Sequence, residues 1–201
     1  MVRFLLLRHG KSVNNGAKRY SGQYDTPLAE EGRAQAEKVA LHLKKNERLD
    51  AIYSSDLSRA MDTARPTAAA FGLPILPRKD LREIDVGIFQ NRLYAEIEKL
   101  YPKEREGYRY HNQRIPGGES YGDLAARGDK ALREIAAGHG GQTLLIATHG
   151  AMIRSLTCLW EGIDFCNVNV VAEAANASLT EVVLEEDVFR IVSRNRTDYL
   201  D

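Results

Sequence analysis

Val2-Arg3-Phe4-Leu5-Leu6-Leu7-Arg8-His9-Gly10 is the stretch that decides the fold. The apolar run from Val2 to Leu7 is too short for an ordinary helix and is stopped by Gly10, the pattern of a strand buried on both faces of a parallel sheet. Such a strand belongs in the middle of the sheet. Directly after it, Arg8 and His9 put two costly polar groups where the apolar run ends, a placement that marks a task.

Working outward, Ala34, Ala36, Val39, Ala40 and Leu43 recur at helical spacing within residues 30–45, with acids early and lysines late, which predicts an amphipathic helix. Ala51-Ile52-Tyr53-Ser54 predicts a second strand. Ser55 or Ser58 is the expected cap of the Ala-rich helix that follows towards Phe71, kinked or divided at Pro66. Pro74-Ile75-Leu76-Pro77 predicts an edge strand and residues 92–101 a helix, whereas Tyr101 to Gly118 has no clean period. Helical spacing returns from Tyr121 to Ala137. Thr143 to Thr148 predicts a third buried strand ended by His149-Gly150, then a helix over 151–160. Ser178 to Leu184 and Val188 to Val192 predict a hairpin across Glu185-Glu186-Asp187.

Strands alternating with helices predict an α/β fold: a three-layer α/β/α sandwich whose mostly parallel sheet carries an antiparallel element, in a single domain over residues 1–201. In such sheets ligands gather outside the carboxyl ends of the strands. That rule brings Arg8 and His9, the loop after Ser54, and His149 to one crevice.

Composition narrows the partners. Across 201 residues, 28 Lys and Arg balance 28 Asp and Glu, so no global basic field exists to hold nucleic acid or an anionic membrane, and any anion site is local. Cys158 and Cys166 have no histidine or second cysteine pair at metal-ligand spacing, which excludes a zinc site or disulfide framework and leaves both as small buried residues. Phe4-Leu5-Leu6-Leu7 is shorter than a signal-peptide core, and no stretch approaches the roughly 18 apolar residues of a membrane span. A cytoplasmic protein is expected.

A neutral imidazole at His9 can attack phosphorus and split one hard displacement into two, while the planar fork of Arg8 grips phosphate oxygens. Taken alone, Arg8-His9-Gly10 is a weak three-letter signal, more often a satisfied strand-end histidine than a nucleophile. Its company changes the reading. Leu7-Arg8-His9-Gly10-Lys11-Ser12 with Asn15 is followed by Ser21-Gly22-Gln23-Tyr24-Asp25-Thr26-Pro27-Leu28 running to Glu31-Gly32. Then come Ser54-Ser55-Asp56-Leu57-Ser58-Arg59-Ala60 with Thr63-Ala64, and Leu81-Arg82-Glu83-Ile84 with Gly87. Pro116-Gly117-Gly118-Glu119-Ser120 and Thr148-His149-Gly150 complete the series.

This ordered series, spanning most of the chain, resembles the histidine phosphatase superfamily, which includes cofactor-dependent phosphoglycerate mutases and small acid phosphatases. The resemblance implies a phosphoglycerate mutase-like fold in which His9 becomes phosphorylated and Arg8, Arg59 and His149 surround the transferring phosphoryl group. It makes Glu83 the proton donor and acceptor, and Asn15, Ser21, Gly22 and Gly150 substrate-binding positions, with Asn14 an alternative register for Asn15. The physics agrees, because a phosphoryl transition state spreads charge over its equatorial oxygens and needs fixed cationic donors. Flanking arginines keep His9 neutral, with a backbone carbonyl on its other nitrogen. Glu83 must stay partly protonated, which burial favours and the arginines oppose.

Mutases of the family carry Glu-Arg-His-Tyr-Gly where this chain has Glu83-Ile84-Asp85-Val86-Gly87, and Asn where it has Ala151 after His149-Gly150. Those departures favour hydrolysis. A histidine acid phosphatase-type phosphoric monoester hydrolase acting on a small phosphorylated metabolite is therefore expected. Mutase-type transfer is the alternative, supported by Arg19-Tyr20-Ser21-Gly22-Gln23-Tyr24-Asp25, and a catalytically silent phospholigand-binding module is the third reading. Lys11 and Phe89-Gln90-Asn91 also depart from the family pattern and bear on the pocket rim. Tyr108, Arg109, Tyr110, His111 and Arg114 make the segment around 88–118 a candidate substrate-facing cap. No metal or cofactor is implied, nor a nucleic-acid or membrane partner. Oligomeric state stays open, a homodimer being one option.

Overall fold

In a computed structural model of the chain, which describes residues 1–201 apart from the side chains of Tyr110 and His111, six strands form one sheet. They are β1 (Val2–Arg8), β2 (Ala51–Ser55), β3 (Ile75–Arg78), β4 (Thr143–Thr148), β5 (Leu179–Glu185) and β6 (Val188–Arg196), in the order β3-β2-β4-β1-β5-β6. β1, β4, β2 and β3 run parallel, and β5 and β6 close the sheet antiparallel. The helices are α1 (Val13–Gly16), α2 (Glu30–Asn46), α3 (Ser58–Phe71), α4 (Tyr94–Leu100), α5 (Pro102–His111), α6 (Tyr121–Ala136) and α7 (Gly150–Glu161).

The opening apolar run is interior because both its faces are used. Phe4 and Leu6 join one core with Leu144 and Ile146 of β4, beneath Leu124 and Leu132 of α6 and Met152 and Leu156 of α7. Leu5 and Leu7 join a second core on the opposite face with Leu145 and Ala147, beneath Val39 and Leu43 of α2 and Ala64 of α3. Each large apolar side chain so buried contributes about 1.5–3 kcal/mol. Period-2 alternation is invisible in such a sequence because neither face is polar.

A close approach of backbone explains one glycine pair. A Cβ on Gly10 would meet the Gly32 carbonyl, and one on Gly32 would meet the Lys11 carbonyl. The start of α2 is thereby packed against the loop that carries His9.

Three local expectations are corrected, and one aperiodic stretch gains a structure. Pro66 does not divide α3, which runs unbroken to Phe71; Thr63, Ala64, Thr67 and Ala68 stay buried on either side, and tertiary packing outweighs the missing hydrogen bond. Neither Ser55 nor Ser58 supplies a side-chain cap at the α3 N-cap, Leu57. The stretch after Tyr101, which shows no clean period, is partly helical: Pro102 starts α5 and Asn112, left-handed at φ 49°, ends it. Of the described residues of α5 only Gly107 and Tyr108 are buried, so no apolar period shows. Finally, Cys158 is buried but Cys166 is exposed. Among the described residues no helix is long and apolar enough to cross a membrane.

Candidate active site

Pairing of β1 with β4 sets Arg8 opposite Thr148 and has the His9 amide donate to the Thr148 carbonyl at 3.0 Å. His9 and His149 are therefore neighbours at the carboxyl edge, with ring centroids 5.2 Å apart. The Gly10 carbonyl lies 2.7 Å from His9 Nδ1. A carbonyl only accepts, so Nδ1 carries the proton and Nε2 keeps the lone pair of a neutral ring. Burial, then Arg59 and Arg8, hold the His9 imidazole well below the usual histidine range.

His149 is the backbone N-cap of α7 and is wholly buried. Its Nε2 is 2.8 Å from Ser55 Oγ, and Nδ1 is buried with no hydrogen-bond partner. Burial first, then Arg59, His9 and Arg8, keep it neutral.

Arg59 enters from the first turn of α3. The Asp25 carboxylate accepts from the Ser58 amide at 2.9 Å and from Ser58 Oγ at 2.8 Å, so a residue from another loop does the capping expected of a local serine. Thr63 Oγ1 accepts from the Gly10 amide at 2.9 Å and donates to the Arg59 carbonyl at 2.6 Å, which pins α3 to the end of β1. The Arg59 guanidinium, 1% exposed, donates to the Tyr24 carbonyl at 3.0 Å and the Gly22 carbonyl at 2.8 Å. Gly22 has φ of +51° and lies against Val86, a place that admits no side chain. Burial lowers the Arg59 guanidinium to about 10, so it stays cationic at neutral pH. Its Nε and that of Arg8 are buried without hydrogen-bond partners, a cost that an incoming anion would relieve.

Glu83 faces these cations. Its carboxyl accepts from the Ile84 amide at 3.0 Å and the Ala151 amide at 3.3 Å. Burial nevertheless dominates and raises Glu83 above the usual carboxyl range, against those amides, Arg59 and Arg8.

These groups share a cavity of ≈ 140 Å³ lined by Arg8, His9, Asn15, Ser21, Gly22, Arg59 and Glu83. Asn15 is oriented for it: Oδ1 accepts from the Ser12 amide at 3.0 Å and from Ser12 Oγ at 2.9 Å, which leaves the amide nitrogen as a donor. Its neighbour Asn14 is buried and does not line the cavity. His149 and Gly150 are not lining residues either. His149 has its ring centroid 5.2 Å from that of His9, and Gly150 lets the Arg8 guanidinium pass within 3.1 Å of where a Cβ would be. Among the described residues no group of three or more His, Cys, Asp or Glu is arranged to hold a metal ion.

Further wall comes from Arg19 and Tyr20 of the mutase-like run, from Tyr108 of the expected cap and from Ile84, Val86 and Ala151, while Tyr94, Tyr121, Arg154 and Glu173 are lining residues to which sequence reading gave no role at the site. Arg114, also expected there, instead pairs with Asp123 at 2.6 Å; the side chains of Tyr110 and His111 lie outside the described residues.

Two imidazoles held neutral, two arginines and a carboxyl raised towards protonation, at the carboxyl edge of a mixed α/β sheet, define an anion-handling protein able to move protons. Residues 4–197 match the histidine phosphatase superfamily (branch 1). The chain belongs to that superfamily and is one of its enzymes. It is 32% identical over 202 residues to phosphoserine phosphatase 1 of Hydrogenobacter thermophilus, covering 100% of this chain and 95% of that protein. With phosphoglycerate mutase-like protein 4 of Arabidopsis thaliana it shares 36% identity over 156 residues, 76% of this chain and 68% of the relative. A mycobacterial glucosyl-3-phosphoglycerate phosphatase solved with VO3 superposes with a TM-score of 0.88 at 31% identity, covering 97% and 99% of the two chains.

Proposed function

We propose that this chain hydrolyses the phosphomonoester of a small phosphorylated metabolite through a phosphohistidine at His9, a metal-independent acid phosphatase-type reaction. The observation that carries this reading is the hydrogen bond from His9 Nδ1 to the Gly10 carbonyl, which leaves a neutral Nε2 in the cavity shared with a buried, raised Glu83.

In the first step Nε2 attacks phosphorus, the P–N bond forms, the ester P–O bond breaks, and protonated Glu83 gives its proton to the leaving alkoxide. In the second, Glu83 as carboxylate takes a proton from water, whose oxygen attacks phosphorus; the P–N bond breaks and inorganic phosphate leaves. Arg8 and Arg59 hold the equatorial oxygens through both steps, with the neutral His149 ring backing that of His9 and the Asn15 amide, Ser21 and Gly22 on the substrate side.

A His9→Ala variant should lose hydrolysis of p-nitrophenyl phosphate, and the wild type mixed with substrate and quenched should carry one acid-labile phosphate. Undiminished turnover by His9→Ala would sink the proposal. Mutase-type transfer is the second reading because Arg19 and Tyr20 also line the cavity. Incubation with 3-phosphoglycerate, with and without 2,3-bisphosphoglycerate, separates the two: inorganic phosphate supports hydrolysis, and rapid isomerisation supports the mutase.

A further inference from the structure

The strand end that carries His9 is clamped from two sides. On one side the His9 amide donates to the Thr148 carbonyl of β4. On the other, the loop before β5 supplies the partners: the Arg8 amide donates to the Ser178 carbonyl at 3.1 Å, and the His9 carbonyl accepts from the Ala177 amide at 3.2 Å and from Asn176 Nδ2 at 3.1 Å. The Arg8 guanidinium also donates to the Ala174 carbonyl. Sequence reading gave this loop no role, and Asn176 does not line the phosphate cavity.

Asn176 has a second acceptor. Its Nδ2 also lies 3.4 Å from Asn15 Oδ1, and an amide nitrogen carries two hydrogens, one for each oxygen. Together with the Ser12 amide and Ser12 Oγ, that makes three donors converging on Asn15 Oδ1. Turned over, Asn15 would aim its own N–H groups at the Ser12 amide and the Asn176 amide, so the orientation that leaves its nitrogen free for the cavity is held by partners. Asn176 is fixed by the same logic, since its oxygen would otherwise face two other oxygens. The turn that makes this possible is strained: Ala177 is buried with φ of 57°, in the left-handed region that disfavours a residue with a Cβ. Tyr199 Oη donates to its carbonyl at 2.7 Å, and the turn brings the Ala177 amide and the Asn176 side chain to one carbonyl, that of His9.

We propose that Asn176 is a positioning residue of the phosphoryl site: it ties the backbone of the nucleophile to Asn15 and holds the Asn15 amide with its N–H groups towards the transferring phosphoryl oxygens. The proposal rests on the phosphatase reading above. Its route runs through Asn15. When the Asn176 side chain is cut back, the His9 carbonyl keeps the Ala177 amide, whereas a loosened Asn15 can turn its acceptor oxygen towards the anion, replacing a charge-assisted hydrogen bond by a repulsion.

The test is a double-mutant cycle of Asn176→Ala and Asn15→Ala, read as kcat/KM for p-nitrophenyl phosphate and as the Kd of inorganic phosphate by calorimetry. With Asn15 present, Asn176→Ala should cut kcat/KM and weaken phosphate binding about tenfold, the share of one hydrogen bond to a charged group. With Asn15 already alanine, the same change should cost less than about twofold. Asn176→Asp, which sets carboxylate oxygens against the His9 carbonyl and Asn15 Oδ1, should fall below Asn176→Ala. Losses that agree within about twofold in the two backgrounds would overturn the proposal, because a residue that merely holds the loop or the fold acts whether or not Asn15 is there; absence of loss in both is one such case. If the wild type hydrolyses no phosphomonoester, the phosphatase reading falls and the phosphate Kd cycle alone decides whether Asn176 positions Asn15 on the anion. His9-dependent hydrolysis without coupling removes the role of Asn176 and leaves the phosphatase reading standing.

Discussion

Glu83 and His9 line one cavity, and a single cause, burial, moves their proton affinities in opposite directions: the carboxyl up, the imidazole down. Desolvation always disfavours the charged form, so it produces a neutral base and a protonated acid in the same place. That pairing is what the first chemical step needs.

A pH–rate profile should therefore be bell-shaped with unusual limbs. As pH falls through the His9 value the nucleophile is lost, so the acid limb should lie well below the ordinary histidine value near 6.5. As pH rises through the Glu83 value the acid is lost, which puts the alkaline limb above the ordinary carboxyl range. Initial rates of p-nitrophenyl phosphate hydrolysis across pH check this, and Glu83→Gln should abolish the alkaline limb. An acid limb at the ordinary histidine value would contradict the burial argument.

The same shifts act on stability. His9 and His149 are depressed in the folded chain, so their contribution is intact above the unfolded value of about 6.5 and is lost as pH falls towards the folded values, because the unfolded chain takes up protons first. Glu83 is raised and acts in the opposite sense, losing stability as pH rises. With two imidazoles against one carboxyl, urea midpoints should fall on acidification below about pH 6.5. A His149→Asn variant should flatten that slope, and an unchanged slope would show that His149 titrates freely in the folded protein.

The sheet was legible because its strands are bare apolar runs, and the catalytic constellation because its motifs sit at strand ends that parallel pairing must bring together. Arg59 shows where a local reading fails by itself: on an Ala-rich helix it looks like a surface residue, yet it is 1% exposed and bonded to two loop carbonyls. Tertiary partners also explain the missed cap of α3, since Asp25 lies 33 residues before Ser58. The tyrosine wall was illegible for another reason. Tyr20, Tyr94, Tyr108 and Tyr121 come from four separate segments, and each alone reads as an ordinary core or surface aromatic.

Arg127 is expected to position Glu83 without touching substrate. Its guanidinium donates to the carbonyls of Asp80 at 2.8 Å, Arg82 at 3.0 Å and Glu83 at 3.2 Å. It is held from behind by Glu119 at 2.9 and 2.8 Å, whose carboxylate also accepts from the Asp85 amide at 2.9 Å. Arg127→Gln should lower kcat by about 10–100-fold, the penalty of a misplaced catalytic group. Because the released loop lets water reach Glu83, the alkaline limb should also move to lower pH. A fall in kcat with an unmoved limb would assign Arg127 a structural role only.

Asp25 offers the last test, because it joins a helix end to the phosphate site. Its carboxylate caps α3 through the Ser58 amide, and the carbonyls of Gly22 and Tyr24 in the same loop hold Arg59. Removing the cap with Asp25→Ala should cost about 1 kcal/mol, within the usual range of roughly 0.5–2, which in a chain of this length lowers Tm by about 2–4 °C. Asp25→Asn keeps an oxygen acceptor and should recover most of that loss in a thermal melt. Since the loop also loses its anchor, kcat/KM should fall in Asp25→Ala more than in Asp25→Asn. Equal melting of Asp25→Ala and the wild type would show that the α3 amides are satisfied by water, and Arg59 would then owe its position to the two carbonyls alone.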